Sequence, residues 1–87
     1  MNYLIINLPM TQQEQRLIFW GERSRFDTPD PHQALVINEE YVNLNLERYD
    51  NGSTTRAVSQ EDAINRPIEI LNTLGITLKQ NAAGEAA

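Results

Sequence analysis

Asn38-Glu39-Glu40-Tyr41-Val42-Asn43-Leu44-Asn45-Leu46-Glu47-Arg48-Tyr49-Asp50-Asn51-Gly52 admits two opposed readings, and the choice between them sets the fold. As a strand, Val42, Leu44 and Leu46 alternate with Asn43, Asn45 and Glu47. Asn51-Gly52 then folds residues 53–58 back as a hairpin. As a helix, Asn38 is the N-cap, and Glu39 and Glu40 sit where the helix dipole favours negative charge. Ile37 and Val42 form a hydrophobic staple, and Gly52 supplies a left-handed stop. The alternation is clean, but the helix signals are complete at both ends, and the helix is preferred. Residues 54–58 form a strand in either case.

Upstream, residues 3–8 read as a strand with apolar side chains on both faces. Leu4, Ile6 and Leu8 point one way, Tyr3 and Ile5 the other. Such a strand belongs in the centre of a sheet, covered on both sides. Pro9 ends it because proline has no N–H to donate. Residues 11–15 are polar and read as an exposed connection. Residues 16–21 read as a second strand, antiparallel to the first, with Leu17 and Phe19 on one face and Ile18 and Trp20 on the other. Phe26 offers a short third strand. Pro29 and Pro31 stiffen the loop that follows.

Downstream, Ser59 caps a helix whose first turn holds Glu61 and Asp62. Ile64, Ile68 and Leu71 fall at helical spacing and form a core stripe. Pro67 interrupts the stripe, either kinking one helix or starting a second. Gly75 stops the last helix in a left-handed turn, and Ile76 packs back on Leu71. Residues 76–78 suit a short edge strand, and residues 81–87 a disordered tail. The sum is one α+β domain over residues 1–80: a small, mostly antiparallel sheet of three to four strands packed against one or two helices.

The chain has 87 residues, no cysteine and a formal net charge of −5. A domain of this size has a thin core, and without cysteine neither disulfides nor thiolate metal sites can staple it. The negative charge opposes non-specific binding to nucleic acid or to an anionic membrane. The apolar run at residues 3–8 is too short for a signal peptide or a membrane span, so a cytoplasmic, soluble protein is expected.

Catalytic and cofactor signatures are lacking. His32 is the single histidine and lies in a proline-flanked loop, and no serine has a nucleophile-elbow setting. Asp27, Asp30, Glu39 and Glu40 lack the spacing of a calcium loop, and Asp27 and Asp30 suit turn capping instead. No metal, no cofactor and no enzymatic activity are expected.

Binding is the better-supported class. The run from Leu17 to Phe26 holds the only tryptophan, both phenylalanines and two of the six arginines. Aromatic and arginine side chains are the residues that interfaces prefer. Trp20, Arg23, Arg25, Phe26 and Tyr49 are therefore candidate partner contacts, with Glu39, Glu40 and Glu47 as charge complement to a basic protein surface. Phe19 and Trp20 also suit the core, one on each face of a strand. The alternative is a nucleic-acid module in which Arg16, Arg23 and Arg25 hold phosphates beside stacked aromatics. An exposed strand edge also leaves room for a homodimer.

The order of these features resembles short phage and prophage proteins of unassigned function. Tyr3-Leu4-Ile5, Phe19-Trp20-Gly21, Phe26-Asp27-Thr28, Ala34, the Asn38-Glu39-Glu40 helix start and Arg56-Ala57-Val58 carry the resemblance, over roughly residues 3–62. Arg25-Phe26 stands where that group has glycine-tyrosine, and Pro29 and Pro31 are departures from it. The resemblance supports the helix at residues 38–49 and implies a protein that modulates a host protein without catalysis, as anti-defence and anti-CRISPR inhibitors do. It supplies no site residues.

Overall fold

A computed structural model of the chain describes residues 1–22 and 26–76. The central element is β1 (Asn2–Asn7), with Leu4, Ile5 and Ile6 fully buried. It pairs antiparallel on one edge with β2 (Ile37–Asn38), in the register Tyr3 to Ile37. On the other edge lies β3 (Thr55–Ser59), with Ile5 opposite Ala57. The sheet order is β2-β1-β3.

Both sheet faces are covered, as the two-sided apolar pattern of β1 requires. Leu4, Ile6 and Leu8 join Leu17, Phe19, Ala34, Ala63, Leu71 and Ile76 on one side. Ile5 joins Ile37, Val42 and Tyr49 on the other. Helices α2 (Glu39–Leu44) and α3 (Leu46–Tyr49) cover the second face. Helices α4 (Gln60–Asn65) and α5 (Pro67–Thr73) bring Ala63 and Leu71 to the first. The fold is thus α+β, with more and shorter helices than the one or two expected.

Residues 39–44 and 46–49 are helical, not strand, and the start follows the signals read from the sequence. The single helix expected is split at Asn45 (φ −137°), and α3 ends at Asp50 (φ −150°), so Gly52, two residues on, is not its stop. The Asn38 side chain accepts a hydrogen bond from Tyr41 N–H at 2.8 Å. Ile37 and Val42 share one core cluster. The alternating Leu44 and Leu46 therefore do not line a strand face.

Four expectations need correction. Helix α1 (Leu8–Glu14) takes up Leu8, expected in the strand, and most of residues 11–15, expected as a polar connection. Asn7 caps it, accepting from Met10 N–H at 3.1 Å, and Pro9 sits in the first turn, where its missing N–H costs nothing. Only Leu8 and Thr11 are buried in this helix, so it carries no apolar stripe for the sequence to show.

Residues 18–20 do run antiparallel beside β1, through Asn7 N–H to Ile18 C=O at 2.8 Å and Trp20 N–H to Ile5 C=O at 2.9 Å. They make isolated bridges to Ile6 and Thr28, not a regular strand. The cause is local: Ile18 N–H is taken by the Thr11 hydroxyl at 3.0 Å, which breaks the ladder. Phe26 likewise starts no strand of its own; the bridge residue is Thr28.

The expected core stripe is also divided. The chain breaks at Arg66, where φ is −135°, and α5 restarts with Pro67. Leu71 is buried, but Ile64 and Ile68 are 38% and 49% exposed. Beyond α5, Gly75 N–H bonds Asn72 C=O and Ile76 N–H bonds Leu71 C=O, each at 3.0 Å, with Gly75 at φ +78°. This is the glycine-terminated stop expected at that position, and Ile76 packs in the Leu71 cluster. The expected strand at 76–78 falls mostly outside the described residues, as does the tail at 81–87.

Candidate interaction surface

The run from Leu17 to Phe26 is not one surface. Leu17, Ile18 and Phe19 are buried, and Phe19 is 1% exposed. Trp20 is half-buried and packs with the Ile5 cluster, its ring edge-on to Tyr49 at 5.8 Å. Phe26 is 96% exposed, beside a groove shared with Glu22, His32 and Gln33. Arg23 and Arg25 lie outside the described residues.

Tyr49 is a core residue. It is 7% exposed, seated between the sheet and the ring of Tyr41, whose centroid lies 5.9 Å away. The expectation of an exposed anchor at Tyr49 is therefore corrected, because its ring is what holds α3 on the sheet. The Arg48 guanidinium lies 5.5 Å from the same ring. A row of rings, Trp20-Tyr49-Tyr41, thus runs from the half-buried side out to solvent.

Among the described residues, α2 and α3 carry three exposed large apolar side chains. Tyr41 is 53%, Leu44 76% and Leu46 49% exposed. Glu39, Glu40 and Glu47 are exposed on the same two helices. Glu39 lies 4.0 Å from the amino group of Met1, a contact weakened by solvent on both sides. Sequence reasoning named the three acids but not Tyr41, Leu44 or Leu46. The signal was half present: a helix that buries Val42 turns Leu44, two positions on, away from the core, whereas Leu46, four positions after Val42 and three before Tyr49, would share their face in an unbroken helix. The break at Asn45, where φ is −137°, separates α2 from α3 at that point.

These helices are rigidly held. Asn45 Nδ2 donates to Tyr41 C=O at 2.9 Å, and Asn51 Nδ2 donates to Glu47 C=O at 2.9 Å. Thr55 Oγ1 donates to Arg48 C=O at 3.1 Å. Apolar side chains on a fixed backbone lose little freedom on binding, which favours affinity.

Other surface features are less suited to a partner. The outer edge of β3 is occupied: Ala57 N–H donates to Asp50 Oδ1 at 3.4 Å, and Thr55 N–H to Asn51 Oδ1 at 3.2 Å. Strand addition at those positions, the route to the homodimer considered from sequence, would displace both bonds. Between the Pro29–Pro31 loop and α4–α5 lies an apolar groove of about 380 Å³, with Ile64 and Ile68 on its rim. Asp30 caps its own turn, accepting from His32 N–H at 2.9 Å. Asp27 does not: its Oδ2 accepts from Asn7 Nδ2 at 2.6 Å, tying the loop to the end of β1. Among the described residues, no group of three or more histidine, cysteine or acidic side chains could hold a metal ion. No helix among them is long and apolar enough to cross a membrane.

Comparison with known proteins finds no matching family model, no matching curated protein and no matching solved structure.

Proposed function

We propose that this chain acts by occupying a surface on another protein, and that the outer side of α2 and α3 is its contact face. One observation carries the proposal: Tyr41, Leu44 and Leu46 are each exposed, within six positions, on two consecutive helices that the core and side-chain hydrogen bonds fix in place. Scattered exposed leucines need no explanation, but an aromatic and two leucines within six positions, ringed by acids, form an interface-like patch. Glu39, Glu40 and Glu47 select a partner with a basic rim around an apolar centre. Trp20 supports the face from beneath through Tyr49 and adds contact area at its exposed margin.

The resemblance to short phage proteins extends the proposal to a role. The chain would block or redirect a bacterial host protein in the cytoplasm, as anti-defence and anti-CRISPR inhibitors do, with no catalytic step. Nucleic acid has less support. Trp20 is engaged with Tyr49, and Arg16 lies 3.6 Å from Glu14.

The test is a double substitution, Tyr41→Ala with Leu44→Ala. Leu44 is exposed and Tyr41 gives up one ring contact with Tyr49, so the fold is expected to persist and is checked by circular dichroism, while removal of an interface centre costs about 2 kcal/mol or more, roughly thirtyfold in Kd. Capture of the partner from host lysate, with nuclease present, is expected from the unaltered chain and lost with the variant. Undiminished capture by the variant would place the contact elsewhere. Material lost on nuclease treatment would favour nucleic acid.

A further inference from the structure

The turn between α3 and β3 carries a chemistry that the contact face does not use. Asn51 is followed by Gly52. In an asparagine-glycine pair, the unhindered glycine backbone lets its amide nitrogen reach the asparagine side-chain carbonyl carbon. Asn51 is also the knot of the turn. Its Oδ1 accepts from the backbone N–H groups of Ser53, Thr54 and Thr55 at 2.7, 2.7 and 3.2 Å. Its Nδ2 donates to Glu47 C=O and Thr54 Oγ1, each at 2.9 Å.

Three N–H donors on one amide oxygen hold the side chain still. They also stabilise negative charge on that oxygen, as oxyanion-hole donors do. The electrophile is thus polarised while exposed to water. The nucleophile is what the fold withholds: Gly52 N–H donates to Thr55 C=O at 2.9 Å.

We propose that Asn51–Gly52 is a self-modification site, gated by the Gly52–Thr55 hydrogen bond, at which local opening of the turn converts Asn51 to aspartate or isoaspartate. Solvent base removes the Gly52 amide proton, and the nitrogen attacks Asn51 Cγ. A new C–N bond closes a five-membered succinimide. The Cγ–Nδ2 bond breaks, and Nδ2 takes a proton from water and leaves as ammonia. Water then adds to either ring carbonyl and opens the ring to one of the two acids. The only co-reactant is water.

The aspartate product keeps an oxygen to accept from Ser53, Thr54 and Thr55 but loses both bonds that Nδ2 donates. A carboxylate has no N–H for Glu47 C=O or Thr54 Oγ1, and it sets a charged oxygen against the Glu47 carbonyl. Isoaspartate also lengthens the main chain by a methylene, next to a glycine held at φ +79°. Either product loosens α3 from β3. The modification therefore marks, irreversibly, chains whose turn has been open longest.

Peptide mapping tests this. The full chain is held at mildly alkaline pH, with and without concentrated urea, and then cleaved after arginine. Residues 49–56 form one fragment, in which acid and isoaspartate content are followed over time. The folded chain is expected to react about tenfold or more slowly than the unfolded chain, because opening limits it. Thr54→Ala removes one bond to Nδ2 and is expected to raise the folded rate while leaving the rate in urea unchanged. Asn51→Asp is expected to lower the urea midpoint, and failure of that variant to fold supports the proposal equally. Equal rates in folded and unfolded chains would overturn the gate. No acid in fragment 49–56 under urea would overturn the site. An unchanged midpoint for Asn51→Asp would overturn the structural consequence.

Discussion

Thr11→Val isolates one hydroxyl on which the junction between α1 and the following segment depends. Thr11 is fully buried. Its Oγ1 accepts from Ile18 N–H at 3.0 Å and faces Ile18 C=O at 3.5 Å. The carbonyl keeps another partner, since Asn7 N–H donates to it at 2.8 Å. Among the described residues, the N–H has no such second partner. Valine fills nearly the same volume, so packing is conserved and the loss reduces to one buried, unsatisfied donor. That costs about 1–3 kcal/mol, taken here as about 2. For a domain of this size, about 2 kcal/mol lowers the melting temperature by roughly 8–16 °C. Thr11→Ser keeps the hydroxyl and loses only a buried methyl, at about 1 kcal/mol. Thermal unfolding followed by circular dichroism separates the two, with valine expected to be the more damaging. A Thr11→Val chain as stable as the unaltered one, or more stable than Thr11→Ser, would refute the reasoning.

Ile5→Ala empties the centre of the face under α2 and α3 and is expected to cost about 2–5 kcal/mol, read as a lower denaturant midpoint. Asn38→Ala and Ser59→Ala each remove a helix cap seen in the structure and are expected to cost about 1 kcal/mol apiece in the same assay. Gly75→Ala meets no atom within 4 Å, so its cost is the left-handed backbone alone, about 1 kcal/mol, with no rearrangement of neighbouring NMR signals. Leu44→Ala is expected to leave stability within about 0.5 kcal/mol, because the side chain is exposed, while Tyr41→Ala is expected to cost about 0.5–1.5 kcal/mol through its ring contact with Tyr49, both read from the denaturant midpoint.

The elements legible in the sequence were those whose signals were redundant. The helix at 39–44 had a cap, first-turn acids and a staple, and those three outweighed a clean strand alternation. β1 announced its central position by being apolar on both faces. The end of α5 was readable because Gly75 and Ile76 together specify one stop.

The elements that were missed had a single signal or an ambiguous one. In α1, Asn7 and Pro9 read equally well as the end of a strand, and its one inward polar residue, Thr11, leaves no apolar period. The stripe at Ile64, Ile68 and Leu71 assumed a continuous helix. The break at Arg66 changes the direction of everything after it, so only Leu71 stays inside.

The proposed contact face was half legible. Glu39, Glu40 and Glu47 follow from charge, but Tyr49 was taken for a contact because aromatic residues suit cores and interfaces alike. Only the three-dimensional placement separates Tyr49, which holds the helix, from Tyr41, Leu44 and Leu46, which the helix displays.

The most direct measurement is partner capture with three chains in parallel: unaltered, Tyr41→Ala with Leu44→Ala, and Phe26→Ala. Their folding is first matched by circular dichroism. One protein that survives nuclease is expected to bind the unaltered and Phe26→Ala chains and to be lost with the double variant. The same protein retained by the double variant would contradict the claim that α2 and α3 form the binding face.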